Sequence, residues 1–168
     1  VTEHIVTIAR TSRDPLSISE VIDERSFVNA IVALLASGGS TNLCIHLVAI
    51  ARAAGIKINW SDFDSLSRIT PLLTRIYPNG SADINHFHAA GGLNYMIAEL
   101  LESGHLHNDV QTIMGLGLET YTKEPKLIDG KIEFVPSSTK SHNEKILRPV
   151  SDPFQKSGGI KRLDGNLG

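Results

Sequence analysis

Apolar residues recur at helical spacing over four stretches of this chain, and glycine or proline follows each one. Phe27, Ala30, Ile31, Leu34 and Leu35 mark one buried helical face, entered through Asp23 as cap and stopped by Gly38-Gly39. Leu43, His46, Leu47, Ile50 and Ala54 repeat the period, with Gly55 in the place of a C-terminal glycine. Phe63, Leu66 and Ile69 predict a third helix starting at Ser61, with Asp62, Asp64 and Arg68 facing out. Leu93, Met96, Ile97, Leu100 and Leu101 predict a fourth, stopped at Gly104. Upstream, Val1, Ile5, Ile8 and Ala9 read as the end of a helix, and Ile18, Val21 and Ile22 as a short apolar turn.

The strand signals are shorter. Lys57-Ile58 suits at most an edge strand, and Leu72, Leu73, Ile76 and Tyr77 read as a buried strand that Pro78-Asn79-Gly80 turns away from. Val110 to Met114 has strand character. Two apolar runs flank Asp129-Gly130 between Lys126 and Val135, which predicts a hairpin. Ile146 to Val150 should be extended, because Pro149 disfavours helix in the residue before it. From Ser151 the chain is rich in Pro, Gly and Ser and reads as a linker. The expected fold is therefore α/β: a helix-rich mixed segment with a short-stranded buried sheet and a C-terminal hairpin. Residues 1–150 are expected to form one body and 151–168 a linker and entry to a further domain, in a piece of a longer protein.

Composition narrows the function classes. The chain has 168 residues, 41% of them hydrophobic but only 5% aromatic, so its core must be largely aliphatic. A formal net charge of -2 with interspersed signs offers no footprint for nucleic acid or an acidic membrane surface. No apolar run reaches the length of a spanning helix, and Val1 onward lacks the form of a signal peptide. The single cysteine, Cys44, excludes a disulfide within the chain and any site built on cysteines alone, and suits a reducing, cytoplasmic setting.

Two stretches could carry chemistry. In Ser37-Gly38-Gly39-Ser40-Thr41-Asn42 a glycine turn delivers the start of a helix behind small capping side chains, an arrangement suited to an anion. Glycine followed by a cap is also ordinary helix punctuation. The second stretch, Asp83 to Gly92, places His86 and His88 near Asp83 and Asn85. In an extended segment the two histidines would point the same way, whereas a helical metal pair favours i, i+4 spacing. Capping or a pocket-facing hydrogen-bonding role is the alternative. His46 reads as a core histidine, Cys44 as a buried inert thiol, and His105 and His107 as surface loop residues. Phosphate-loop, dinucleotide, nucleophile-elbow and zinc signatures are absent from the sequence.

The run Gly-Gly-Ser-Thr-Asn at 38–42 with His46-Leu47 and Ala49 to Gly55 resembles the family of dihydroxy-acid and sugar-acid dehydratases. So do Asp62-Phe63 and Pro71-Leu72. Tyr77-Pro78-Asn79-Gly80, Ala82-Asp83 and Asn85 to Gly92 resemble the branch of that family acting on phosphogluconate. Tyr121 to Pro125, Ile146 to Pro149 and Leu163 to Gly168 extend the resemblance over nearly the whole chain. The resemblance implies a hydro-lyase of the Entner–Doudoroff route that converts 6-phosphogluconate to 2-dehydro-3-deoxy-6-phosphogluconate. It implies an iron–sulfur cluster as Lewis acid and, as in related members, a divalent cation at the carboxylate end. In the family pattern the cluster cysteines lie before Val1 and the proposed serine base lies beyond residue 168. No catalytic or metal-binding residue and no cofactor is therefore assigned to this segment alone. The expected contribution is on the substrate side, from Gly39, Ser40, Thr41, Asn42, His86 and His88. The expected partners are a sugar-acid phosphate, the remainder of the same polypeptide and a second copy in a homodimer, with no nucleic acid or membrane.

Three alternatives accompany that reading: a non-catalytic structural or subunit-interface module, a dihydroxy-acid dehydratase of branched-chain amino-acid synthesis, and a self-contained metal-dependent hydrolase using Asp83, His86 and His88.

Overall fold

The computed structural model describes residues 2–166. Its helices are α1 (Thr2–Thr7), α2 (Ile18–Val21), α3 (Glu24–Ser37), α4 (Thr41–Ala53), α5 (Trp60–Ile69), α6 (Ile84–Ala90) and α7 (Gly92–Glu102). Strands β1 (Gln111–Thr112) and β2 (Gly115–Leu116) form one antiparallel pair, and β3 (Lys123–Ile128) and β4 (Lys131–Pro136) another. A 3-10 turn, Glu119–Thr122, links them. The result is the helix-rich mixed α/β architecture expected from the sequence.

Helix α3 is the central element. Val32 and Ala36 join a cluster with Leu73, Phe87, Tyr95, Met96, Leu100 and Leu147. Its other face puts Phe27, Ile31, Leu34 and Leu35 against Cys44, Leu47 and Ala51 of α4 and Phe63 of α5. The helix starts where the sequence predicts, because the Asp23 carboxylate accepts from Ser26 N–H at 2.8 Å. It ends on Gly38 in the left-handed conformation, φ +58°. The hairpin β3–β4 turns through Asp129 and Gly130, both at positive φ, as its two-residue loop requires.

Several details depart from the expected pattern. The inward face of α4 is Cys44, Leu47 and Ala51, while Leu43, Ile50 and His46 are exposed. The helix is apolar around most of its circumference, so periodicity alone does not select the face; small residues at 44 and 51 do, by admitting α3 closely. Ile69 is exposed, and Lys57-Ile58 pairs with no strand among the described residues. Tyr77 is exposed, although Leu72, Leu73 and Ile76 are buried as expected. That extended run joins no continuous sheet. Isolated bridges tie Leu72 to Gln155, Thr74 to Leu147 and Ile76 to Ala82. The hairpin β3–β4 is also largely solvent-exposed.

The glycine pair of the tail serves close packing. Phe154 N–H donates to Leu72 O, Gly158 N–H to Ser67 O and Gly159 N–H to Leu35 O. A side chain on Gly159 would come within 2.7 Å of the Gly38 Cα. Residues 154–160 thus close over the α3–α5 core, with Ile160 against it.

Candidate functional site

The glycine turn is built from both of its ends. Ser37 Oγ and Gly39 N–H both bond to Leu34 O, and Thr74 Oγ1 donates to Ser37 O at 2.6 Å. Ser40 caps α4, its hydroxyl accepting from Asn42 N–H at 3.2 Å. Ser40, Thr41 and Asn42 are solvent-exposed, while Gly38 is buried beneath them. The structure therefore presents the start of a 13-residue helix at an accessible surface, on a turn held rigidly from below. Thr41 also borders an apolar groove of about 370 Å3 with Cys44, Ile45, Trp60 and Phe63.

Asp83 to Gly92 is helical, which separates the two histidines. Asp83 accepts from the N–H groups of Asn85 and His86, and its Oδ1 lies 2.8 Å from His86 Nδ1. Those backbone bonds, most of all from His86 N–H, hold the Asp83 carboxyl below its usual range against a small cost of burial. His86 faces a pocket of about 440 Å3 shared with Arg75, Gly80, Ser81, Asn143 and Lys145. His88 borders a different pocket, of about 200 Å3, with Asn94, Glu124, Ser138 and His142. Asp83, His86 and His88 do not converge, and no three metal-ligating side chains cluster among the described residues. The helical turn between 86 and 88 is the reason: side chains two apart on a helix point to different sides. The metal-dependent hydrolase reading is therefore corrected.

The turn Tyr77 to Gly80 links the two sequence-predicted stretches. Asn79 packs against Gly38 on one flank, and Gly80 borders the His86 pocket on the other. Asn79 Nδ2 donates to Thr74 O at 3.2 Å, and Tyr77 N–H to Ala82 O at 2.8 Å. Gly38 and His86 thus both border this loop, while His88 lines a separate pocket. Arg75 and Lys145 escape sequence inspection: each is an isolated cation, and backbone pairing of residues 73–75 with residues 146–148 brings them together.

An iron–sulfur cluster would find a single cysteine in this chain. Cys44 is buried at 5% exposure among apolar side chains, and burial pushes its thiol pKa up. A cluster needs several thiolates. The residues described do not fit that group.

The sequence of this chain matches a known class of enzyme. The N-terminal part of the dihydroxy-acid/6-phosphogluconate dehydratase family matches residues 1–121, and the chain belongs to that family. The phosphogluconate dehydratase of Pseudomonas aeruginosa is 53% identical over 150 residues, covering 89% of this chain and 25% of the relative. That of Escherichia coli K12 is 53% identical over 153 residues, covering 91% and 25%. The dihydroxy-acid dehydratase of Sulfurisphaera tokodaii is 39% identical over 148 residues, covering 88% and 24%. The chain spans about a quarter of the length of these relatives. No helix among the described residues is long and apolar enough to cross a membrane.

Proposed function

We propose that this chain is a segment of a 6-phosphogluconate dehydratase, acting in the Entner–Doudoroff route in the cytoplasm. The observation that carries the reading is the contrast in identity: 53% to phosphogluconate dehydratases against 39% to a dihydroxy-acid dehydratase, over nearly equal spans. The reaction removes a proton from C2 and hydroxide from C3 of the sugar acid, and the resulting enol tautomerises to 2-dehydro-3-deoxy-6-phosphogluconate. Within this segment Gly39, Ser40, Thr41, Asn42 and His86 bind and orient substrate, with His88 in the adjoining pocket. Residues outside the segment hold the iron–sulfur cluster and a divalent cation, and this segment alone is inactive. The working enzyme is a homodimer. Exposed Leu43 and Ile50 on one side of α4, and Ile45 beside Trp60 on another, support burial of these surfaces by the rest of the polypeptide or by a second copy.

The test is an assay of the full-length protein with loaded cofactor. Turnover of 6-phosphogluconate, with a much lower kcat/KM for 2,3-dihydroxy-isovalerate, is the expected result. The reverse preference would make it a dihydroxy-acid dehydratase. Changing Ser40, Thr41 and Asn42 together to Ala should raise KM or lower kcat; unchanged kinetics would remove them from the substrate side.

A further inference from the structure

We infer that the pocket lined by Arg75, His86 and Lys145 is a phosphomonoester subsite, taking the phosphate end of the sugar-acid substrate. The identity of that substrate rests on the proposed function; the preference for a phosphate rests on the pocket itself.

Three separate parts of the chain build it. The bridge between Thr74 and Leu147, with Arg75 N–H bonded to Ile146 O at 2.8 Å, sets Arg75 beside Lys145. The turn at 77–80 folds back so tightly that a side chain on Gly80 would stand 2.3 Å from Arg75 O, which delivers Gly80 and Ser81 to the wall. The Asp83 cap fixes the start of α6 and with it His86.

The charge balance is what distinguishes this pocket. Cations or histidines lining pockets elsewhere share them with acids, Lys161 and Arg162 with Asp64 in one and His88 with Glu124 in another. Arg75 and Lys145 line one pocket and have no carboxylate partner among the described residues, and no acidic side chain lines that pocket. Of the acids nearby in sequence, Asp83 is engaged with His86 and with backbone N–H groups, and Glu144 is not among the lining residues. The Arg75 guanidinium lies over the Phe154 ring, 5.0 Å from its centroid, which steadies its planar fork. Asn143 Oδ1 accepts from Lys145 N–H, leaving the Asn143 amide nitrogen as a donor beside the Ser81 hydroxyl. Two cations with several neutral donors suit a phosphate near −2 better than a singly charged carboxylate.

The experiment uses the full-length, cofactor-loaded protein and its Arg75→Met/Lys145→Met variant. Steady-state turnover of 6-phosphogluconate is measured with inorganic phosphate and gluconate as competitors. Losing two charge-assisted contacts, at about tenfold each, should raise the KM for 6-phosphogluconate and the inhibition constant of phosphate together by about 100-fold. The gluconate constant should move far less. Parallel rises for gluconate and phosphate would show that the pocket takes the carboxylate, and unchanged constants would show that it takes neither; both overturn the inference. If the double variant does not fold, Lys145→Gln, at an exposed side chain, should give about a tenfold rise in the same two constants, and no rise would overturn the inference. If the parent does not turn over 6-phosphogluconate, the functional reading fails. Calorimetry with inorganic phosphate then tests the pocket directly: binding to the parent that the variant loses supports it, and binding that the variant keeps, or none to the parent, overturns it.

Discussion

Gly38 and Asn79 stand so close that a methyl group placed on Gly38 would lie 2.6 Å from the Asn79 amide nitrogen. The same methyl would meet a Leu72 methyl at 2.9 Å, and the residue sits at φ +58°. Gly38→Ala therefore combines left-handed backbone strain of about 1–2 kcal/mol with overpacking of about 1–3 kcal/mol. Chemical denaturation of the full-length protein should show a loss of about 2–5 kcal/mol. A loss below about 1 kcal/mol would mean that the turn relaxes freely and is no rigid support for α4.

Acid should weaken the start of α6. Asp83 is held below its usual range first by the His86 backbone N–H, against a small burial cost, and further by attraction to the His86 ring and the Asn85 N–H. The folded state thus favours the carboxylate. Its contribution is present above the ordinary carboxyl range, about pH 4, and is lost as pH falls through the lowered folded value. Asp83→Asn keeps an acceptor for the cap but cannot titrate. Its urea midpoint should fall less than the parent's between about pH 6 and about pH 2.5; equal falls would place the acid sensitivity elsewhere.

Cys44 should be chemically silent. With its thiol buried and its pKa raised by that burial, an aromatic disulfide reagent should modify it slowly in the folded protein and fast in denaturant. In the full-length enzyme, Cys44→Ala should retain the parent's iron content and cluster absorption. Loss of iron would make Cys44 a ligand after all.

How much of this was legible in the sequence depends on whether a feature is local. Asp23, Ser40, Gly38 and Asp129-Gly130 act on neighbours within four residues, and each stands where the sequence places it. The orientation of α4 was not legible. Leu43, His46 and Ile50 compete with Cys44 and Ala51 for the buried face on either side of Leu47, and contact with α3 decides between them. The segment around His86 and His88 could be read as extended or helical, and only the capped helix sends the two rings into separate pockets. Arg75 and Lys145 gave no signal, because a lone cation in sequence does not reveal what it faces. In the tail, Gly158 and Gly159 supply close approach to Leu35 and Gly38, a long-range contact that composition does not reveal.

The bridges from Leu72 to Gln155 and from Thr74 to Leu147 join residues of the seventies to residues past 145. Closing so long a loop is slow compared with forming α3, α4 and the Asp129-Gly130 hairpin, whose contacts are between close neighbours in sequence. During synthesis the caps and the glycine turn can form while Arg75 still lacks its companions. The helical scaffold comes first, and the cationic pocket is assembled only after the chain beyond residue 145 has emerged and folded back.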